Sequence, residues 1–393
     1  MRQLRPDVYE VGAIDWDRRL FDELIPLPDG TSYNAYLIKG SEKIALLDTV
    51  DPTKTDVLVG NLVSAGIDHL DYIVAHHGEQ DHSGSIPDVL TIYPDAKVVV
   101  NQKCKDLLVS HLHIEEDRFL VITDGQTLSL GNKTLRFMDI PWVHWPETFA
   151  TYLVEDRILF PCDMFGSHLA TSSLFVDDWP TVERAAKRYY AEIMMPFRSY
   201  IRKHLARFAG IQIELIAPSH GPVYDKPGLI MDVYADWSSD RVKNEVVLAF
   251  VSMHNSTRRM VSHLIEVLMD LGITVRPFNL SRTDIGELAM ALVDAATLVL
   301  ATPTVLVGPH PLAAYAATLA NALRPKTRFA SIVCSYGWGG KAIEQLQGLM
   351  GNLKVELIDP VLVKGLPRDE DYLALDRMAQ QILDKHKQAG IVQ

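Results

Sequence analysis

The sequence predicts an α/β protein of two domains: a layered sandwich of mixed strands, then a doubly wound parallel sheet. Three observations carry that reading. The chain has 393 residues, enough for two cores at about 150 residues per domain. Short β-rich runs separated by turns fill the stretch up to about Ser239. From Glu245 onward strand and helix alternate strictly, as crossover-connected parallel strands require. The boundary is placed in the charged stretch 239–245, giving domains 1–244 and 245–393.

Composition removes several classes. Hydrophobic residues are 48% and charged residues 22%, ordinary for a globular chain. Lysine and arginine total 38 against 50 acidic residues, a net charge of −12; that field repels phosphate backbones, so no nucleic-acid partner is expected. Cys104, Cys162 and Cys334 are odd in number and far apart, with no C-x-x-C pair. Neither a disulfide framework nor a thiolate metal site fits, and a reduced, cytoplasmic chain is expected. The N-terminus MRQLRPDVYEVGAIDW lacks the apolar stretch of a signal peptide. Ala295–Leu323 carries no charge, but Pro303 and the run 308–311 would break a spanning helix. It reads as a buried strand, a loop and a packed helix, with no membrane role.

In the first half, strands are expected within 31–40, 42–50, 71–77, 96–101, 133–140, 148–163 and 213–220. Helices are expected at 53–66, with Val57, Leu58, Leu62 and Val63 on one face, and within 182–208. Strands with helices between them suggest stacked sheets covered by helices. In the second half, apolar runs at 246–251, 273–279, 297–302, 328–334 and 354–361 alternate with helical stretches at 256–271, 284–295, 311–323, 341–352 and 370–388. Helix 256–271 aligns Met260, Val261, Leu264, Ile265, Leu268 and Leu271, and Gly272 stands where a C′ residue belongs.

The densest chemistry is VAHHGEQDHSG, 74–84, where His77, Glu79, Asp81 and His82 follow an apolar strand. Glu79 and Asp81 would repel each other unless something cationic held them. A polar surface turn is the plain alternative. Three later residues each stand alone just past a strand: His144 in DIPWVHWPE, Asp163 in ILFPCDMFG and His220 in LIAPSHGP. Singly, each is more often a satisfied structural residue than a ligand. Their joint order after H-x-[HE]-x-D-H is different.

The second half opens with VVLAFV and then SMHNST, 252–257. Ser252, Met253, His254, Asn255, Ser256 and Thr257 form a hydroxyl-rich loop at a helix N-terminus, which suits a terminal monophosphate such as that of FMN. It lacks the glycines and lysine of the dinucleotide and P-loop motifs. Serine and threonine also cap helices without any ligand. Two further loops lie at the expected ligand edge of such a sheet. One holds Pro303, Thr304, Val305, Leu306 and Val307; the other holds Ser335, Tyr336, Gly337, Trp338, Gly339 and Gly340.

The N-terminal half resembles the metallo-β-lactamase fold, whose two-metal site uses H-x-H-x-D-H followed by distant His, Asp and His. Here Glu79 stands where the second His normally sits, a harder anionic donor that favours iron over zinc. With the flavodoxin-like loops, the whole chain resembles the flavodiiron proteins. The resemblance implies an αββα metallo-β-lactamase-like sandwich followed by a five-stranded flavodoxin-like domain. It implies one iron on His77, Glu79 and His144, another on Asp81, His82 and His220, and Asp163 bridging. It also implies FMN on the three loops. Two positions depart from the family: many members carry Asn-Asn where Leu306-Val307 stands, and several carry Trp in place of His254.

The activity so implied is reduction of dioxygen to water, of nitric oxide to nitrous oxide, or both. The chain ends without a rubredoxin or flavin-reductase extension, so a separate rubredoxin-like protein or a reduced deazaflavin is the expected donor. A head-to-tail homodimer, or a dimer of such dimers, would bring FMN to the irons. The rival readings are a zinc hydrolase with a fused flavodoxin and an electron carrier whose metal site is only structural. Among lone residues, His111 and His113 read as exposed or structural. His168 either lines the metal pocket or packs in the core. His310 reads as structural, and Cys162 and Cys334 as small packing groups.

Overall fold

The computed structural model describes residues 1–392. It divides into two compact units, Met1–Tyr190 with Phe197–Ser238, and Ala191–Pro196 with Ser239–Gln393. In the first unit, a seven-stranded mixed sheet runs in the order Arg2–Arg5, Val8–Glu10, Tyr36–Lys39, Ile44–Leu47, Tyr72–Val74, Lys97–Val100, Phe119–Val121. A second sheet of five runs Thr127–Ser129, Thr134–Asp139, Phe149–Leu153, Ile158–Phe160, Leu215–Ile216.

Side chains alternate across a strand, and the alternation builds two cores. Leu46, Ile73 and Val98 face helix residues Leu58, Leu62, Val89 and Leu108. Leu47, Val74 and Val99 face Phe137, Phe149 and Phe160 of the second sheet. Helix Arg198–Phe208 is tied to the second sheet, Arg207 donating to the Asp139 carbonyl at 3.0 Å. Together these make the expected layered sandwich.

Helix Thr55–Ser64 departs from expectation in one respect. Leu58 and Leu62 are buried, whereas Val57 and Val63 are exposed. At 3.6 residues per turn, positions 58 and 62 nearly coincide, while 57 and 63 fall about 100° to either side.

The second unit has a parallel sheet in the order Thr274–Asn279, Lys243–Phe250, Ala295–Val305, Phe329–Tyr336, and then a split fifth strand. That order, 2-1-3-4-5, is the flavodoxin-like one. Its first strand begins at Lys243. Val246 and Leu248 pack on helices Ser256–Asp270 and Asp369–Gln388; Val247 and Ala249 pack on the opposite side against Ile285–Leu292, Pro311–Leu323 and Ala342–Leu349. The fifth strand splits into Glu356–Leu357 and Val361–Lys364. Pro360 lies between them, and it has no N–H to give to a ladder. Gly272 follows the first helix at φ +75°, as a C′ glycine does.

The uncharged segment 295–323 forms a strand, a tight hairpin and a helix; no described helix is long and apolar enough to cross a membrane. The hairpin corrects the expectation of a plain loop at 303–307. The third strand continues to Val305 and pairs back with Gly308–Pro309, leaving Leu306 and Val307 as the two-residue turn. Both have positive φ, +46° and +75°, where Asn-Gly is the favoured pair and a β-branched residue is strained. Replacing them together, Leu306→Asn with Val307→Gly, should stabilise this unit by about 1 kcal/mol, roughly 2–4 °C in melting temperature. Thermal unfolding followed by circular dichroism checks this, and an unchanged or lower midpoint contradicts it.

Candidate metal centre and cofactor cavity

All seven expected metal ligands leave the carboxyl ends of strands. His77 follows Tyr72–Val74; Glu79 precedes the short helix Gln80–Ser83, which carries Asp81 and His82. His144 follows Thr134–Asp139, Asp163 follows Ile158–Phe160, and His220 follows Leu215–Ile216. The backbone here is bent: Asp48, Trp142, Cys162 and Phe165 all have positive φ, the kind of strain that gathers at functional sites.

Their ligand atoms form two groups, His77, Glu79, His144 with Asp163, and Asp81, His82 with His220. In the first, Glu79 Oε2 lies 3.0 Å from His77 Nε2 and 3.1 Å from His144 Nε2. In the second, Asp81 lies 3.3 Å from His82 Nε2 and 3.2 Å from His220 Nε2. Asp163 stands between them. Its Oδ2 is 3.6 Å from His77 and 3.5 Å from His144, and its Oδ1 is 3.0 Å from His82 and 3.3 Å from His220.

The electrostatics ask for positive charge. Burial works against charging these histidines, but their carboxylate neighbours outweigh it. His77 and His220 are pushed up to about 10, and His82 and His144 to about 9. Half-buried Glu79 and buried Asp163 are held far below the usual carboxylate range by the same histidines, against the cost of desolvation. Both Asp81 oxygens and Asp163 Oδ2 are buried without a hydrogen-bond partner in the protein. Such carboxylate oxygens are costly unless a cation meets them. Imidazole nitrogens and carboxylate oxygens form a donor set that fits a pair of first-row transition metals. Cys162 Sγ also lies close to His82 and Asp163, but burial raises its thiol well above the ordinary value, so it stays neutral.

A cavity of about 580 Å³ reaches this centre, lined among others by Arg18, Phe21, Asp22, Asp51, Glu79, Asp81, His111 and Trp145.

In the second unit, a cavity of about 410 Å³ is lined by Met253, His254, Ser256, Thr257, Pro303, Thr304, Ser335, Tyr336, Gly337 and Trp338, with Gly365 and Leu366. Its hydroxyls meet the N-terminus of helix Ser256–Asp270, and Trp338 offers an open flat face at 92% exposure. That set fits a phosphate joined to a planar ring. Ser252, Asn255, Val305, Leu306, Val307, Gly339 and Gly340 stand outside this wall. Ser252 Oγ accepts from Arg258 N at 3.1 Å, Val305 is spent in the hairpin ladder, and Leu306 is 97% exposed at its tip.

Residues 31–221 match the model of the ODP family beta lactamase. The chain is 36% identical over 373 residues to a nitric oxide reductase of Moorella thermoacetica, covering 93% of each. It is 31% identical to a coenzyme F420H2 oxidase of Methanothermobacter marburgensis, covering 89% of each. Its fold superposes on rubredoxin oxygen:oxidoreductase from Desulfovibrio gigas with a TM-score of 0.94 at 30% identity, and on the flavodiiron protein from Giardia intestinalis with 0.88 at 27%, each over 98% of both chains. The chain belongs to the flavodiiron protein family.

Several residues that support this candidate metal centre are not evident in the ligand motif. Glu147, fully buried, accepts from His77 Nδ1 at 2.7 Å and from Gly78 N at 3.1 Å, which leaves His77 Nε2 for the centre. His220 Nδ1 donates to the Ser32 carbonyl at 2.6 Å. Tyr189 donates its hydroxyl to Asp163 Oδ1 at 2.8 Å. Behind them Asp48 accepts from His76, whose Nε2 is 2.7 Å from Thr151 Oγ1. An acid three residues past His144 is the one sequence signal that could have found Glu147; nothing local marks Tyr189.

Lone residues resolve as follows. His111 and His113 are exposed, yet His111 also lines the cavity at the metal centre. His310 caps helix Pro311–Leu323, its Nδ1 accepting from Leu312 N at 3.2 Å. Cys334 is buried in its strand. His168 is buried, and that burial holds its imidazole well below the ordinary value.

Two outcomes follow. Glu147→Ala should weaken metal binding about 10–100-fold, because His77 loses the partner that orients it; titration of apo protein with Fe²⁺ measures this, and equal affinity contradicts it. Metal must also displace protons from histidines whose values lie near 9–10. Apparent affinity should therefore rise from pH 6.5 to 9, with protons released on loading. Conversely, these raised values stabilise the apo fold fully below about 6.5, a contribution lost as pH passes 9–10. Calorimetric metal titration in buffers of different ionisation enthalpy gives the proton count; a pH-independent affinity would refute the arrangement.

Proposed function

We propose that the chain is an FMN- and di-iron-dependent reductase that converts dioxygen to water, nitric oxide to nitrous oxide, or both. The observation that carries this reading is Asp163, whose two oxygens each face a separate cluster of imidazole and carboxylate groups. His77, Glu79 and His144 would hold one iron, and Asp81, His82 and His220 the other, with Asp163 shared. When bound, the irons and FMN supply the redox electrons and the open coordination positions that reduction of these gases needs.

The protein's own part is placement. Glu79 adds anionic oxygen where an imidazole would favour zinc. Glu147 and the Ser32 carbonyl fix which nitrogen His77 and His220 present. Tyr189 shares the load on Asp163. Met253, His254, Ser256, Thr257, Pro303, Thr304, Ser335, Tyr336, Gly337 and Trp338 would cradle FMN, with Ser256 and Thr257 near its phosphate and Trp338 near its ring. Gly365 and Leu366 join that wall. Iron chemistry belongs to domain 1–244 and flavin chemistry to 245–393.

Electrons would come from a separate donor, a rubredoxin-like protein or a reduced deazaflavin; the names of the similar oxygen oxidoreductase and F420H2 oxidase support both classes. A head-to-tail homodimer, or a dimer of such dimers, in the cytoplasm completes the reading.

The test is gas consumption by protein loaded with FMN and iron, reduced anaerobically, and mixed with O₂ and with NO in parallel. Rapid loss of at least one gas, without peroxide release, is expected, and the zinc-loaded protein should be inert. Two tightly held zincs with ester hydrolysis, and no gas consumed by the iron form, would favour the hydrolase instead.

A further inference from the structure

His168 lies beside the metal ligands without being one of them. It is 4% exposed, and none of the candidate ligand groups includes it. Its ring centroid is 4.8 Å from that of His220 and 4.8 Å from that of Tyr189. Thr31 Oγ1 engages its Nδ1 at 2.9 Å. Its other nitrogen, Nε2, is buried with no hydrogen-bond partner in the protein.

The neighbours that could have satisfied that nitrogen are already committed. Tyr189 donates to Asp163. His220 gives Nδ1 to the Ser32 carbonyl and turns Nε2 toward Asp81 and Asp163. Phe21, a wall residue of the cavity over Glu79 and Asp81, packs on the His168 ring at 5.3 Å and shields it from bulk water. A buried polar atom in this position calls for a partner from outside the chain.

We propose that His168 Nε2 is the hydrogen-bonding group for the small oxygen- or nitrogen-centred ligand that enters the metal centre. Thr31 is a positioning residue, since its contact with Nδ1 fixes the ring's orientation and leaves Nε2 as the nitrogen for the ligand. This assignment rests on the di-iron reading above and adds a ligand-sensing residue to it.

The test uses azide as the probe, titrated optically into the oxidised iron-loaded protein after iron has been counted in every sample. His168→Leu should keep its iron and bind azide about tenfold more weakly, the loss of one hydrogen bond. His168→Gln, which retains a hydrogen-bonding amide, should recover part of that affinity, and Thr31→Val should fall between wild type and His168→Leu. Full iron with unchanged azide affinity in His168→Leu overturns the assignment alone. Equal loss of iron from both His168 variants also overturns it, because the ring would then be only a packing element. A wild-type protein that holds no iron overturns the di-iron reading and this assignment with it.

Discussion

A buried carboxylate with one oxygen that makes no hydrogen bond within the protein is the constraint around which the first unit is organised. Asp163 is 1% exposed and its Oδ2 makes no hydrogen bond. Asp81 sits nearby with both oxygens in the same condition. Burying such groups is strongly unfavourable unless cations share the space. The raised histidines are one expression of that demand; the proposed pair of divalent metals would be the other. Function at this site is therefore continuous with stability, since whatever neutralises the acids also holds four strand ends together.

The scaffold meets that demand from two directions. The seven-stranded sheet contributes His77 and the short helix behind it; the five-stranded sheet contributes His144, Asp163 and His220. The core between the sheets, with Leu47, Val74 and Phe160, holds together the strand ends from both sheets that supply each ligand group. Outer contacts then orient each ring, Glu147 for His77 and the Ser32 carbonyl for His220. His82 differs, because its Nδ1 is buried with no hydrogen-bond partner in the protein.

Much of this was legible in the sequence, for identifiable reasons. A strand end followed by His77, Glu79, Asp81 and His82 places ligands by local geometry, and strand–helix alternation past residue 245 leaves few topologies open. What escaped depended on contacts distant along the chain or on special backbone geometry. Tyr189 meets Asp163 across 26 positions and Thr31 meets His168 across 137, with no periodic signal to mark either. In sequence the 303–307 turn reads as a loop because Leu306 and Val307 are poor turn residues, and apolar spacing alone puts Val57 and Val63 on a helix face that only Leu58 and Leu62 occupy.

Anomalous diffraction at the iron absorption edge, from crystals of the iron-loaded protein, addresses the central claim most directly. Two peaks about 3.5–4 Å apart, one on each side of the Asp163 carboxylate, are the result this account requires. A single peak, or none beside Asp163, would contradict it.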